Sequence, residues 1–313
     1  MGELTWRAYG SGDIPALTVL VNTVNAHAGE RHAYTEDMIR AFATGHVRDP
    51  ERNSRFVLDG DQLVGYAMVA APPDGGHRID LPGGVHPRRR GQGLGRRLLG
   101  WQLDRAAELH RAAAPGTPWE VHASVLLDDR SATRLFERAG LEVARYWFTM
   151  ECATVDPPTV LPVPPGLTVT GYDPARERDL HAAHVEAFAD HWGYQARAFP
   201  EWAALTVRSG SFRPELSFLA HDGDELAGYL LSYAAPDDDV YEVGHVGVRR
   251  PWRKRGLASA LLSRALSAGR KAGYVTAHLG VDAANPTGAV GVYERVGFRP
   301  VTRAVTYLLR LSA

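Results

Sequence analysis

Glu242, His245 and Tyr293 are the residues whose types and spacing suit proton transfer. Glu242 and His245 lie in the valine-rich run Val240 to Val248, which reads as a strand. Tyr293 lies in Asn285-Pro-Thr-Gly-Ala289-Val-Gly-Val-Tyr293-Glu-Arg-Val-Gly297-Phe298. A carboxylate or a neutral imidazole accepts a proton, and the imidazole titrates near neutrality when unperturbed. A phenol of pKa about 10 can give a proton to a basic leaving group. By period two His245 faces away from Glu242 unless the strand bulges, so the choice of base stays open between them. The strand runs into Val248-Arg-Arg-Pro-Trp-Arg253-Lys254-Arg255-Gly256-Leu257-Ala258. A helix must start there, because Leu257, Leu261, Ala265 and Ala268 share one apolar face. A strand turning into a helix leaves the first helical N–H groups unpaired and aims the positive end of the dipole at an anion. Gly256 permits close backbone approach, and Arg253 can add charge-assisted bonds to a pyrophosphate. The alternatives for such a loop are a solvated basic surface or a nucleic-acid patch.

The loop occurs twice. Val85-His-Pro-Arg-Arg-Arg90-Gly91-Gln-Gly93-Leu-Gly95 repeats its pattern. Leu4 pairs with Leu167, Tyr9 with Tyr172, Gly65 with Gly228 and Arg90 with Arg253, each at the same offset (253 − 90 = 163). A repeat of this length predicts two like domains. Asp156 to Pro165 carries five prolines in ten residues and predicts an extended linker. The expected division is therefore 1–155, a linker over 156–166, and 167–313. In each half a strand, helical stretches, a hairpin, a strand, the loop and a helix follow in order, which predicts an α/β fold with a mixed central sheet. In the second half the hairpin spans Leu216–His221 and Leu226–Tyr233, and the final strand spans Ala304–Leu309.

These motifs resemble the GNAT superfamily of acyltransferases, in tandem form. The resemblance covers nearly the whole chain. It implies that Val246, Val248, Arg253, Lys254, Arg255, Gly256, Leu257, Ala258 and Asn285 hold acetyl-CoA. It implies the same of Val85, Arg90, Gly91, Gly93 and Gly95 in the first half. Tyr293 is then the acid that protonates the leaving thiolate. Glu242 stands 11 residues before Arg253, the spacing of family members that use a Glu base on a bulged strand. The segment Glu242 to Val248 is similar to that of the mycothiol synthases, which are tandem GNAT enzymes. The first half departs where chemistry is done: Ile79 stands for Glu242, Phe136 for Tyr293 and Asp128 for Asn285. It is expected to be non-catalytic.

The acceptor side is the least legible. Asp190-His191-Trp192-Gly193-Tyr194 offers a carboxylate for an ammonium or hydroxyl and flat rings for stacking. The same cluster also suits a plain helix-end turn. His181 and His184 share a helix face, but no third metal ligand follows, and no metal is expected. The expected reaction is acetyl transfer to a primary amine of a small molecule. Alternatives are a CoA-binding scaffold without turnover, another acyl donor, or nucleic-acid binding through the arginines. The net charge of −1 in 313 residues gives no global attraction to nucleic acid or anionic membrane. Cys152 is the sole cysteine, so a reducing, cytoplasmic setting is expected; Met1 to Pro15 has no signal-peptide pattern.

Overall fold

Each hydrophobic pattern read above becomes an element that buries its apolar face. The computed structural model describes residues 4–31, 33–72, 76–113, 116–155, 159–284 and 288–312. In chain order the first repeat gives β1 (Leu4–Arg7), α1 (Ile14–Ala28), α2 (Glu36–Gly45), β2 (Ser54–Asp59), β3 (Gln62–Met68), β4 (Arg78–Asp80), β5 (Gly83–Val85), α3 (Leu94–Ala113), β6 (Trp119–Leu126), α4 (Arg130–Arg138) and β7 (Glu142–Ala153). The second gives β8 (Thr168–Gly171), α5 (Glu177–Phe188), α6 (Phe199–Leu205), β9 (Phe218–Asp222), β10 (Glu225–Ala234), β11 (Val240–Val248), α7 (Leu257–Lys271), β12 (Thr276–Asp282), α8 (Ala289–Arg295) and β13 (Arg299–Leu311).

The chain divides into two compact units, one of residues 1–146 with 303–313, the other of 147–302. This differs from a cut at the proline stretch, because each repeat's last strand crosses the division. Trp147–Ala153 of β7 pairs antiparallel with β12 in the second unit, and Ala304–Leu311 of β13 pairs with β6 in the first. The proline stretch is no free spacer either. Leu161 N–H bonds Ser263 Oγ at 2.9 Å, and Arg264 donates to the Leu161 carbonyl at 3.0 Å, which lays residues 159–166 along α7.

In the second unit the strands run β7-β12-β11-β10-β9-β8. Leu257, Leu261, Leu262, Ala265 and Leu266 of α7 pack on one sheet face with Tyr241, Val243 and Leu279. Leu180, Ala183 and Trp202 of α5 and α6 cover the other face with Tyr229, Leu231 and Tyr233. In the first unit β1-β2-β3-β5 form one sheet, while β4, β6 and β13 form another set. The strand that is continuous as β11 is broken here by Leu81-Pro82, since proline cannot donate to a ladder.

A fragment of residues 1–155 should therefore fold poorly. It lacks Val305 and Tyr307, which are buried in the first unit's core, and leaves the β6 edge open. The expected result is aggregation or dye-binding exposed apolar surface; a soluble 1–155 fragment with one cooperative thermal transition would contradict the strand assignment.

Candidate active site

A sheet opens wherever two neighbouring strands stop pairing, and the second unit has such an opening. β11 and β12 pair in parallel only at Val240–Thr276, Tyr241–Ala277 and Glu242–His278. Beyond Glu242 the strands part, although β11 runs on to Val248 and β12 to Asp282. Alternate backbone groups of both strands then face a gap and not a partner. A cleft of about 940 Å³ fills that gap. Val243, Gly244, Val246, Gly247 and Val248 line it from β11, and Gly280, Val281 and Asp282 from β12. The start of α7 contributes Gly256, Leu257, Ala258 and Ser259, and α8 contributes Ala289, Val292 and Tyr293.

The loop into α7 has the geometry its sequence requires. Lys254 has φ +62° and Gly256 has φ +89°. No side chain caps α7, so its first N–H groups stay open at the cleft. Gly91 and Gly93 adopt the same left-handed values, φ +76° and +82°, at the matching positions of the first unit. Arg253 lines the cleft and is also tied to its surroundings by three contacts. Its Nε donates to the Val248 carbonyl at 3.0 Å, its NH2 to the Ala187 carbonyl at 3.1 Å, and its NH1 meets Asp190 at 3.3 Å. It braces the loop against the end of α5. Arg255 turns away to the Pro165 carbonyl at 3.0 Å. Lys254 remains on the cleft wall. Asn285 lies outside the described residues.

Glu242 sits at the vertex where the strands part, and burial pushes its carboxyl up from the usual range. The register against β10 shifts between Leu231 and Ser232: Leu231 faces His245, but Ser232 faces Val243. Gly244 is the extra residue of a bulge, and it moves His245 onto the face of Glu242. His245 Nδ1 is 3.0 Å from the Tyr233 hydroxyl. Burial lowers His245 to about 4 and His184 to about 3, so both rings are neutral near pH 7. Tyr293 is pushed up to about 12 by burial and keeps its proton throughout the physiological range.

The expected acceptor residues divide. Asp190 and His191 line the cleft, and Asp190 is paired there with Arg250 at 2.8 Å and Arg253 at 3.3 Å. His191 and Trp192 approach Trp147 with ring centroids 6.0 and 6.1 Å apart. Tyr194 stands 5.8 Å from His184 and 6.1 Å from Phe188. His181 bonds the Arg197 carbonyl and His184 bonds Tyr229, so each has a partner of its own. Tyr233, Phe188 and Trp147 were missed in the sequence; only the pairing register and the β7 exchange reveal them.

In the first unit Arg90 reaches the N-cap of α4. It donates to both Asp129 oxygens at 3.2 and 3.0 Å and to Ser131 Oγ at 3.1 Å. Gly95 lies against Leu135, and a Cβ there would sit 3.2 Å from it. Val85 is 3.4 Å, through its carbonyl, from Arg90 Nε. Ile79 is buried and Phe136 packs on Tyr307 at 5.5 Å, so both matching positions lack a transferable proton. Asp128 stands in the turn just before α4.

Residues 20–141 and 178–298 match the acetyltransferase (GNAT) family. The mycothiol acetyltransferase of Thermobispora bispora is 32% identical over 270 residues, 81% of this chain and 83% of that one. That of Streptomyces scabiei is 33% identical over 251 residues, 76% of this chain and 74% of that one. A GCN5-related N-acetyltransferase from Sphaerobacter thermophilus superposes with TM-score 0.83 at 28% identity, covering 99% of this chain and 96% of that chain. A tandem GNAT protein from the clavulanic acid biosynthesis pathway shares the fold with TM-score 0.75 at 19% identity, covering 98% of each. No helix among the described residues is long and apolar enough to cross a membrane.

The depressed histidines make a stability prediction. In the unfolded chain they take up protons near pH 6.5, while in the fold they resist until about 4 and 3. Their contribution is complete above about pH 6.5 and is lost as the pH falls toward those values. His245→Gln and His184→Gln should flatten the fall of Tm between pH 6.5 and 4 relative to the parent. Identical Tm–pH slopes in parent and variants would contradict the burial of neutral imidazoles.

Proposed function

The chain belongs to the GNAT acetyltransferase family and is an N-acetyltransferase that moves acetyl from acetyl-CoA to an amine; on that premise we propose that the second unit does the chemistry and that the acceptor is a small-molecule primary amine of mycothiol type. The observation that carries the proposal is the opening between β11 and β12, with Glu242 at its vertex and Tyr293 on its wall. The two relatives named above, called mycothiol acetyltransferases, support the acceptor class.

The cleft suits CoA on three counts. Its unpaired strand edges can bond an extended, amide-bearing chain as a neighbouring strand would. The uncapped start of α7 and the left-handed Lys254–Gly256 backbone present N–H groups to a pyrophosphate. Gly256 and Ala258 keep side chains out of the way.

A primary ammonium has a pKa near about 10 and must lose a proton before it can attack a thioester. Glu242 takes that proton, and its raised pKa makes it a better base than an ordinary carboxylate. Unpaired N–H groups of the Val246–Val248 stretch face the oxygen that gains charge as the amine adds. The C–S electron pair then leaves on sulfur. At about 12, Tyr293 gives its proton only to a strongly basic partner, so transfer accompanies C–S cleavage. The balance is one amide, one thiol and one proton released per ammonium and acetyl-CoA consumed. The first unit keeps the loop but not the acid and base, and in this reading it is non-catalytic.

Tyr293→Phe should lower kcat by about 10²–10⁴ while acetyl-CoA still binds. Glu242→Gln should lower the rate most near neutral pH and recover partly at high pH, where the amine loses its own proton. Gly256→Asp should abolish calorimetric CoA binding to the second unit by clash and charge repulsion. CoA release assayed over a panel of small amines, mycothiol-type amines included, checks these outcomes. Wild-type kcat in Tyr293→Phe with a saturating acceptor would remove Tyr293 from the mechanism.

A further inference from the structure

Charged side chains meet on the cleft wall where α5 ends and the loop into α7 begins. Asp190 lies just past the end of α5, and each of its carboxylate oxygens takes one arginine. Oδ1 accepts from Arg250 at 2.8 Å and Oδ2 from Arg253 at 3.3 Å. Arg250 first, and Arg253 with it, hold the carboxyl below its usual range, so it is an anion near neutral pH. The arginines offset a poor setting for negative charge, because the C-terminal end of a helix carries the negative end of the dipole. Asp190, Arg253 and Lys254 line the cleft beside Gly256 and Leu257, at the uncapped start of α7. Nε and NH2 of Arg253 are fixed on the Val248 and Ala187 carbonyls, and Asp190 takes NH1. Arg250 is anchored by its backbone N–H on Glu186 at 3.0 Å, while its guanidinium is 59% exposed and the Asp190 carboxylate 44% exposed. Exposed ion pairs of this kind are weak and exchange readily. The first unit differs. There the loop arginine, Arg90, is held by Asp129, whose side chain is 5% exposed and also caps α4. Breaking a buried pair is costly. The second unit therefore has a loop arginine whose carboxylate partner a stronger anion can replace.

We propose that Asp190 is a resident competitor for the CoA pyrophosphate: CoA takes Arg250 and the NH1 of Arg253 from it on binding, and Asp190 takes them back as CoA leaves. The proposal rests on the cleft being the CoA site. A diphosphate brings two charges and several acceptor oxygens against the single charge of a carboxylate, so it wins the guanidiniums. Arg250 is then a phosphate ligand in its own right. The displaced carboxylate stays on the cleft wall, where its like charge repels the diphosphate. The affinity of acetyl-CoA and of CoA falls alike. Such uniform weakening leaves the transfer step itself untouched and speeds departure of the product.

The test is calorimetry of CoA binding to the full chain, with the second unit's site defined as the binding that Gly256→Asp removes. Asp190→Asn keeps the size and shape of the side chain but not its charge, and should tighten CoA binding there about three- to tenfold. Arg250→Gln should weaken it, and weaken it more in the Asp190→Asn background, where the guanidinium is wholly available to phosphate. In turnover, Asp190→Asn should lower KM for acetyl-CoA and strengthen inhibition by the product CoA. With S-acetylpantetheine, which has no pyrophosphate, Asp190→Asn and the parent should share one KM. Weaker or unchanged CoA binding in Asp190→Asn overturns the proposal and leaves Asp190 a brace of the loop. So does an equal gain with S-acetylpantetheine. CoA binding that survives Gly256→Asp in full overturns the reading of the cleft itself, and the proposal with it.

Discussion

One irregularity in one strand organises the second unit. β11 must pair with β10 along its length to hold the sheet, yet must leave β12 after Glu242 to open a slot. The extra residue at Gly244 satisfies both demands. It increases the local twist and breaks the alternation of side chains. Three consequences follow from that single residue. The slot opens beyond it, Glu242 stands at the vertex, and His245 turns to the same face as Glu242. Glycine is required there because the Tyr233 ring occupies the space of a Cβ. Tyr241 and Val243 on the other face remain buried under α7, so the core tolerates the shift.

The two repeats build the same frame differently. Where the second unit has Gly244-His245, the first has Leu81-Pro82, and the bulge becomes a full break between β4 and β5. Gln102 of α3 fills that region, donating to the Met68 and Pro82 carbonyls at 2.7 and 2.9 Å. The arginine that braces the loop keeps one bond in both units, from Nε to the carbonyl five residues earlier. Its other donors differ. Arg253 turns to the end of α5 on the cleft wall, while Arg90 turns to Asp129 at the start of α4.

Much of this was legible in the sequence. The repeat, the strand Val240–Val248 and the left-handed loop at Gly256 rest on residue type and spacing; the base and acid roles of Glu242 and Tyr293, and their loss at Ile79 and Phe136, are what the family resemblance implies and what is proposed here. What escaped was non-local. The exchange of β7 and β13 depends on partners more than a hundred residues away, which periodicity does not encode. The ion pairs of Asp190 join it to arginines some 60 residues downstream. Tyr233 looked like an ordinary strand residue until the bulge placed its hydroxyl on His245. A bulge shifts register without leaving a mark in composition, so the geometry of the base could be framed as a condition but not read.

The central claim is that the parted strands of the second unit are the acetyl-CoA slot. Amide hydrogen exchange with and without acetyl-CoA tests it most directly, since unpaired strand edges exchange fast and bound ones do not. The account predicts new protection at residues 244–248, 256–259 and 279–282, lost in Gly256→Asp. Protection confined to residues 83–95 of the first unit, or none at the β11 and β12 edges under saturating acetyl-CoA, would contradict it.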